Sequence, residues 1–123
     1  MTYTGHQLAA IVRMAITMAS ADGKFVEEEK NAISMELTNF GVDPLECASI
    51  LIKSRDMEAS EALATIAAMN YEQKKYVTGY LAVIMVADGE IAESEVKMWS
   101  LISLLANLPE MTLNEALDFW NTH

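Results

Sequence analysis

Apolar residues recur at every third and fourth position along nearly the whole chain, while strict alternation is almost absent. That pattern predicts helices and no sheet. The first helix runs from Leu8 through Ile11, Val12, Ala15 and Ala19, with Met14 and Met18 widening its apolar face. It is expected to end at Asp22-Gly23, where glycine takes the left-handed corner that closes a helix. A second spans about 26–40, opens on Glu27, Glu28 and Glu29, and stops at Gly41; carboxylates in a first turn suit the helix dipole. Asp43-Pro44 supplies an N-cap and a first-turn proline for the third. Residues 59–69 form an Ala-rich fourth helix, and Asn70 with Gln73 makes a capping box for a fifth that reaches Ala87. Val77, Tyr80, Leu81, Val83, Ile84, Met85 and Val86 surround that fifth helix, so it is expected to be central and buried. A sixth covers about 93–108, with Val96, Trp99, Ile102, Leu105 and Leu108 toward the core, and Pro109 stops it. Thr112 and Glu115 cap a short seventh. The fold class is thus all-α, about seven helices joined by short connections, as a single domain over 1–123. Gly79, in the middle of the fifth helix, marks a close helix–helix approach, and Trp99 and Trp120 are expected as core anchors.

A shift of 66 residues lays Ala21-Asp22-Gly23 on Ala87-Asp88-Gly89. The same shift pairs Phe25 with Ile91, Glu27 with Glu93 and Glu29 with Glu95, and upstream it pairs Ile11 with Val77 and Met18 with Ile84. An apolar helix, a tight turn and an acidic-start helix therefore occur twice, in repeats of roughly 8–40 and 74–108. Two copies at this period do not make a solenoid. Two helical hairpins about an approximate two-fold axis are expected, with the first and fifth helices side by side in the centre.

Each copy reads A-D-G-x-[FI]-x-E-x-E. Glycine supplies the positive-φ corner, the aspartate accepts turn N–H groups, and Phe25 or Ile91 is expected to plug the corner into the core. The last glutamate sits near the third helical position and can reach back to unpaired amides, but Val26 and Ala92 stand where a capping box has Ser or Thr. The spacing mimics the second half of an EF-hand loop. Met18 and Ile84 stand where the first calcium ligand belongs, so an EF-hand is rejected. Eight of the eighteen acidic residues nevertheless fall within 22–29 and 88–95. If the symmetry brings the turns together, Asp22, Glu29, Asp88 and Glu95 present carboxylates to one hard cation such as Ca²⁺ or Mg²⁺. The alternative is that each caps its own turn while the other acids are solvated.

Composition narrows the partners. Eighteen acidic against eight basic residues give a net charge of −10, which opposes binding to nucleic acid and to an anionic membrane surface. No apolar run approaches the roughly 20 residues of a membrane span, so no direct membrane insertion is expected. The N-terminus lacks a secretory pattern and Cys47 is the single cysteine, both consistent with the cytoplasm. Cys47, on a helix among apolar neighbours, is read as a buried small hydrophobe.

The doubled alanine-aspartate-glycine turn, in an acidic seven-helix chain of this length, resembles the tellurite-resistance TerB-like family over about residues 7–108. The resemblance implies an all-helical bacterial fold, found alone or fused in larger proteins such as membrane-anchored DnaJ-type co-chaperones. It also implies roles in stress or tellurite resistance, metal sensing and complex assembly at the inner membrane, with no established catalysis. The family's suspected metal-binding acids map to Asp22, Glu29, Asp88 and Glu95. Val26 and Ala92 depart from the polar cap often found there, and the chain carries no J-domain or membrane anchor.

An enzyme is the least supported class. His6 and His123 lie at opposite ends, and the usual nucleophile, metal-hydrolase and phosphate-loop motifs are missing. An interaction module with a protein partner is the first expectation, because nine methionines, among them Met14, Met18, Met69, Met85 and Met98, offer adaptable apolar surface; the alternative is that they are core. A divalent-cation site in the acidic turns is the second, and it would regulate the first.

Overall fold

The computed structural model describes residues 2–21 and 23–122. Seven α-helices appear among them: α1 (Gly5–Ala19), α2 (Glu27–Leu37), α3 (Pro44–Asp56), α4 (Ala59–Ala67), α5 (Tyr71–Met85), α6 (Glu93–Leu105) and α7 (Leu113–Thr122). Capping sets most of the boundaries. Thr4 and Gln7 form a capping box that starts α1 three residues earlier than its apolar stripe predicts. Asn70 and Gln73 form the one expected for α5, and Asp43 caps α3 by accepting the Leu45 N–H at 2.8 Å. Thr112 and Glu115 exchange bonds at 2.9 and 3.1 Å ahead of α7. The second helix ends at Leu37 and continues as a 3₁₀ turn, Thr38–Phe40, before Gly41 turns left-handed.

Helices α1 and α5 lie together at the centre. From Leu8 to Ala19 nearly every apolar residue of α1 is buried, and α5 is buried continuously from Val77 to Ala82 and again at Ile84 and Met85. A helix with no solvated side needs covering all round, and the other five supply it. Each repeat's second helix packs both on its own central helix and on the other repeat's: α2 touches α1 and α5, while α6 touches α5 and α1. This reciprocal crossing is what an approximate two-fold axis produces.

The repeat extends further than the sequence comparison predicts. Under the shift of 66, α3 falls on α7; α3 packs on α1 and α7 packs on α5. Ile50 and Ser54 are buried on α3, and their counterparts Ala116 and Trp120 are buried on α7. Cys47 and Leu51 are half-buried, as are Leu113 and Leu117. The unit is therefore three helices, and α4 is the added piece, bridging α1 and α6.

Three expectations about the core change. Leu105, expected inward, is 55% exposed, because the inward line of α6 runs Glu95, Trp99, Ile102, Ala106, and Leu105, one residue before Ala106, is rotated from it by about 100°. Helix α6 then stops three residues short of Leu108, with Asn107 left-handed at φ 54° and the Leu108 N–H donating to Ser103 O at 2.8 Å, an asparagine-closed C-cap. Phe25 is half-buried against the core, but Ile91 is 56% exposed and plugs nothing. Lys30 lies over the Phe25 ring, 5.5 Å from its centroid, and the counterpart of Lys30 is Val96, too short to cover a corner in that way. Finally, Met14, Met18, Met69 and Met85 are core residues and Met98 is half-buried, so they do not form a methionine-lined partner surface.

Close packing is tightest where α7 meets α5. A Cβ on Gly79 would lie 3.1 Å from Trp120 Cβ and 3.2 Å from Ala116 O. Trp120, with Phe40, Tyr3 and Tyr80, forms an aromatic cluster with centroid distances of 4.9–5.7 Å. Tyr80 is buried, and its hydroxyl donates to Ile33 O at 2.8 Å, tying α5 to α2.

Gly79→Ala is expected to lower stability by about 1 kcal/mol or more. The gain in helix propensity is of similar size, but both crowded atoms belong to the α7 backbone or its root and cannot swing aside. An unchanged or raised melting temperature would show that α7 yields freely. Burial, with the Glu36 carboxylate second, holds the Tyr80 phenol well above its ordinary pKa of 10.0. Its contribution is therefore present below about pH 10 and declines as the pH rises beyond that, because only the unfolded chain gives up the proton. Denaturant melts at about pH 9 and about pH 11 should show the decline. Tyr80→Phe should make it shallower at a cost of about 1 kcal/mol near neutrality, from the orphaned Ile33 carbonyl; an identical alkaline slope would remove Tyr80 as its source.

Candidate functional site

The acidic turns are built alike. After α1, the Gly23 N–H donates to Ser20 O at 2.9 Å, and after α5 the Gly89 N–H donates to Val86 O at 3.0 Å. Both glycines are left-handed, at φ 81° and 83°, the conformation that makes glycine the default there. Asp88 Oδ1 accepts the Glu90 N–H at 3.0 Å, an Asx turn that shapes the loop. Asp22 lies outside the described residues.

Each turn leads into a helix with an apolar N-cap, Val26 in α2 and Ala92 in α6, neither making a side-chain cap bond. Three residues on come Glu29 and Glu95. Both are turned inward: Glu29 is 1% exposed and Glu95 is 3% exposed. For Glu29 the reach back to an unpaired amide is incomplete, because its Oε2 is buried with no hydrogen-bond partner. Taking a carboxylate out of water costs several kcal/mol unless a countercharge or a full set of donors replaces the lost hydration. A carboxylate at this depth is thus an incomplete interaction in the protein as it stands. The nearby Glu27 points to solvent and pairs with Lys30 at 3.9 Å, and Glu93 pairs with Lys97 at 3.2 Å, so these acids are solvated faces.

The donor set is all carboxylate oxygen, which suits a hard cation of the Ca²⁺ or Mg²⁺ kind. Among the described residues, however, no three His, Cys, Asp or Glu side chains stand close enough to hold a metal ion. Glu29, Asp88 and Glu95 therefore do not make a closed cage by themselves.

The other candidate residues are structural. His6 pairs with Glu61 at 3.3 Å on the surface between α1 and α4, a contact that the sequence spacing did not suggest, and His123 lies outside the described residues. Cys47 is half-buried rather than buried and packs against the core.

A second feature gave no sequence signal. The C-terminal half of α6, the loop 106–112 and the start of α7 line an open cavity of about 630 Å³. Trp99, Leu104, Leu108, Pro109 and Met111 supply its apolar lining, and its only charged lining residues are Glu110 and Glu115. Bonds from the Thr112 backbone and hydroxyl keep the Glu115 carboxyl below its ordinary pKa of 4.5, so it is ionised at neutral pH. Along the outer side of α6, Leu101, Leu104 and Leu105 stand exposed. The early halt of α6 opens this cavity, and nothing in the periodicity marks it.

No helix among the described residues is long and apolar enough to cross a membrane. No curated protein matches the chain. Among solved structures, PG1108 from Porphyromonas gingivalis W83, described as a protein of unknown function, is 43% identical with a TM-score of 0.90. The match covers 98% of this chain and 92% of that one. The family model described as tellurite resistance protein TerB matches residues 7–117. That span takes in both Ala-Asp-Gly turns, both central helices and the cavity between α6 and α7, and the chain belongs to the TerB family.

Proposed function

We propose that this chain is a non-catalytic, cation-responsive interaction module serving bacterial stress or tellurite resistance. The observation that carries the cation half is the Glu29 carboxylate, buried with Oε2 unpaired at the end of a turn whose motif recurs 66 residues later. A divalent cation held by Asp22, Glu29, Asp88 and Glu95 supplies the missing countercharge and couples the two repeats. Support for a non-catalytic role is chemical. The histidine within the described residues is a surface ion-pair partner, and the cysteine packs against the core.

Thermal melts with and without millimolar Ca²⁺, Mg²⁺, Mn²⁺ or Zn²⁺ test the cation. At about a hundredfold excess over Kd, a specific ion should raise the midpoint on the order of 10 °C. Asp22→Asn/Asp88→Asn and Glu29→Gln should each abolish that rise. Without cation, Glu29→Gln should melt no lower than the parent, because it removes a buried charge and keeps the shape. No rise with any of the four ions sinks the cation reading, and so does a full rise in Glu29→Gln.

The interaction half is favoured by Leu101, Leu104 and Leu105, which make an exposed apolar ridge at helical spacing on α6. Contiguous apolar surface of this kind marks partner sites. Crosslinking in the native cells should yield adducts that disappear with Leu104→Ser/Leu105→Ser, a pair of surface changes that leaves folding intact. Adducts that persist unchanged would remove this face from the partner site.

A further inference from the structure

We propose that the cavity between α6 and α7 docks a short amphipathic helix of a partner protein, one whose apolar face is flanked by lysine or arginine. This rests on the interaction half of the function proposed above and specifies the occupant. At about 630 Å³, the space is of the size that takes a few side chains of a bound segment. Its lining mixes apolar groups such as Leu108, Pro109 and Met111 with Ser100, Ser103 and Asn107, and Leu104, 78% exposed, stands at its lip beside the ridge of Leu101 and Leu105. Anchors at helical spacing would drop into the cavity and grip that ridge together. Among the described residues there is no strand, so an extended peptide has no sheet edge to pair with, whereas the helical spacing of Leu101, Leu104 and Leu105 suits the helix-in-groove mode.

Two further observations point to an occupant. Trp99 is buried in the cavity wall with its indole N–H lacking an acceptor. The chain's other indole, on Trp120, donates to Glu36 Oε2 at 2.7 Å. Buried indole N–H groups are ordinarily bonded, so the wall of this groove holds an unmet donor. The charges then set the sign of the guest. Glu110 and Glu115 are the only charged groups lining the cavity, and Glu115 is held ionised by Thr112. A basic flank is complementary to both. A second copy of this chain carries a net charge of −10 and is repelled, as is an anionic lipid surface.

The test follows the two indole N–H signals by ¹⁵N NMR, with Trp99→Phe identifying the first. Three synthetic peptides of about five helical turns serve as probes: leucines at i, i+3, i+4 and i+7 among lysines; the same leucines among glutamates; and the lysine peptide with serines replacing its leucines. Only the lysine–leucine peptide should bind, moving the Trp99 signal and leaving that of Trp120 in place. Leu104→Glu should weaken it roughly tenfold or more, although the added charge would strengthen a purely electrostatic attraction to lysine. Leu45→Glu, on the 89% exposed residue at the start of α3, should leave binding unchanged. Equal binding of the serine or the glutamate peptide, indifference to Leu104→Glu, or a Trp99 signal unmoved by every peptide each overturns the proposal. So does binding of phosphatidylglycerol vesicles through Leu104, which would make the occupant a lipid. Should the crosslinks in cells still depend on Leu104 while no peptide binds, the interaction role stands and the basic helical partner falls.

Discussion

The rest of the structure depends on α1 and α5 being buried on almost every side. Neither helix keeps a solvated stripe in its middle turns, so each must be enclosed by other elements or it has no place in water. Side by side they cover one face of each other, and the crossing of α2 and α6 covers a second. The remaining face of α1 is covered by α3 and α4, and that of α5 by α7. The duplicated turn makes this enclosure compact. A left-handed glycine reverses the chain within a few residues, so the helix that follows returns over the central pair instead of running on into solvent.

The two repeats solve one packing problem with opposite residues. On α5 the contact with the outer helix is made by Gly79, and the bulk comes from Trp120 of α7. Under the shift of 66 their counterparts are Arg13 on α1 and Ser54 on α3, so the large side chain has moved to the central helix. Arg13 spends its guanidinium on Met57 O at 3.0 Å and Thr17 Oγ1 at 2.6 Å, satisfying a half-buried charge with local oxygens. This exchange of size hides the third helix of the repeat from sequence comparison while preserving its burial. It also leaves a single aromatic cluster between the repeats, where Trp120 and Tyr80 of the second meet Phe40 of the first and Tyr3 ahead of α1.

Symmetry is retained where the acids lie and lost where the cavity lies. Glu29 and Glu95 occupy the same helical position and are buried to nearly the same depth. After α2 the chain continues as a 3₁₀ turn whose Phe40 joins the aromatic cluster. After α6 it stops on Asn107, and the segment to Thr112 opens away from Trp99. One half of the molecule thus has a filled junction and the other an open groove of mixed lining flanked by the carboxylates of Glu110 and Glu115.

By itself the sequence determined the helices, their caps and the doubled turn, because these depend on contacts within a few residues: periodicity, Thr112 with Glu115, Asn70 with Gln73, and glycine at a positive-φ corner. It also marked Gly79 as a close approach and α5 as central, since an apolar circumference and a glycine within it have few other meanings. The depth of Glu29 and Glu95 was not legible, as a glutamate in a first helical turn reads equally well as a cap, a solvated charge or a buried ligand. Which way Leu105 points, that Ile91 stays outside, and that the methionines are core depended on one residue of rotation or on the neighbour across the interface. Only the tertiary structure decided these, because burial belongs to the surface that meets a residue and not to the residue alone.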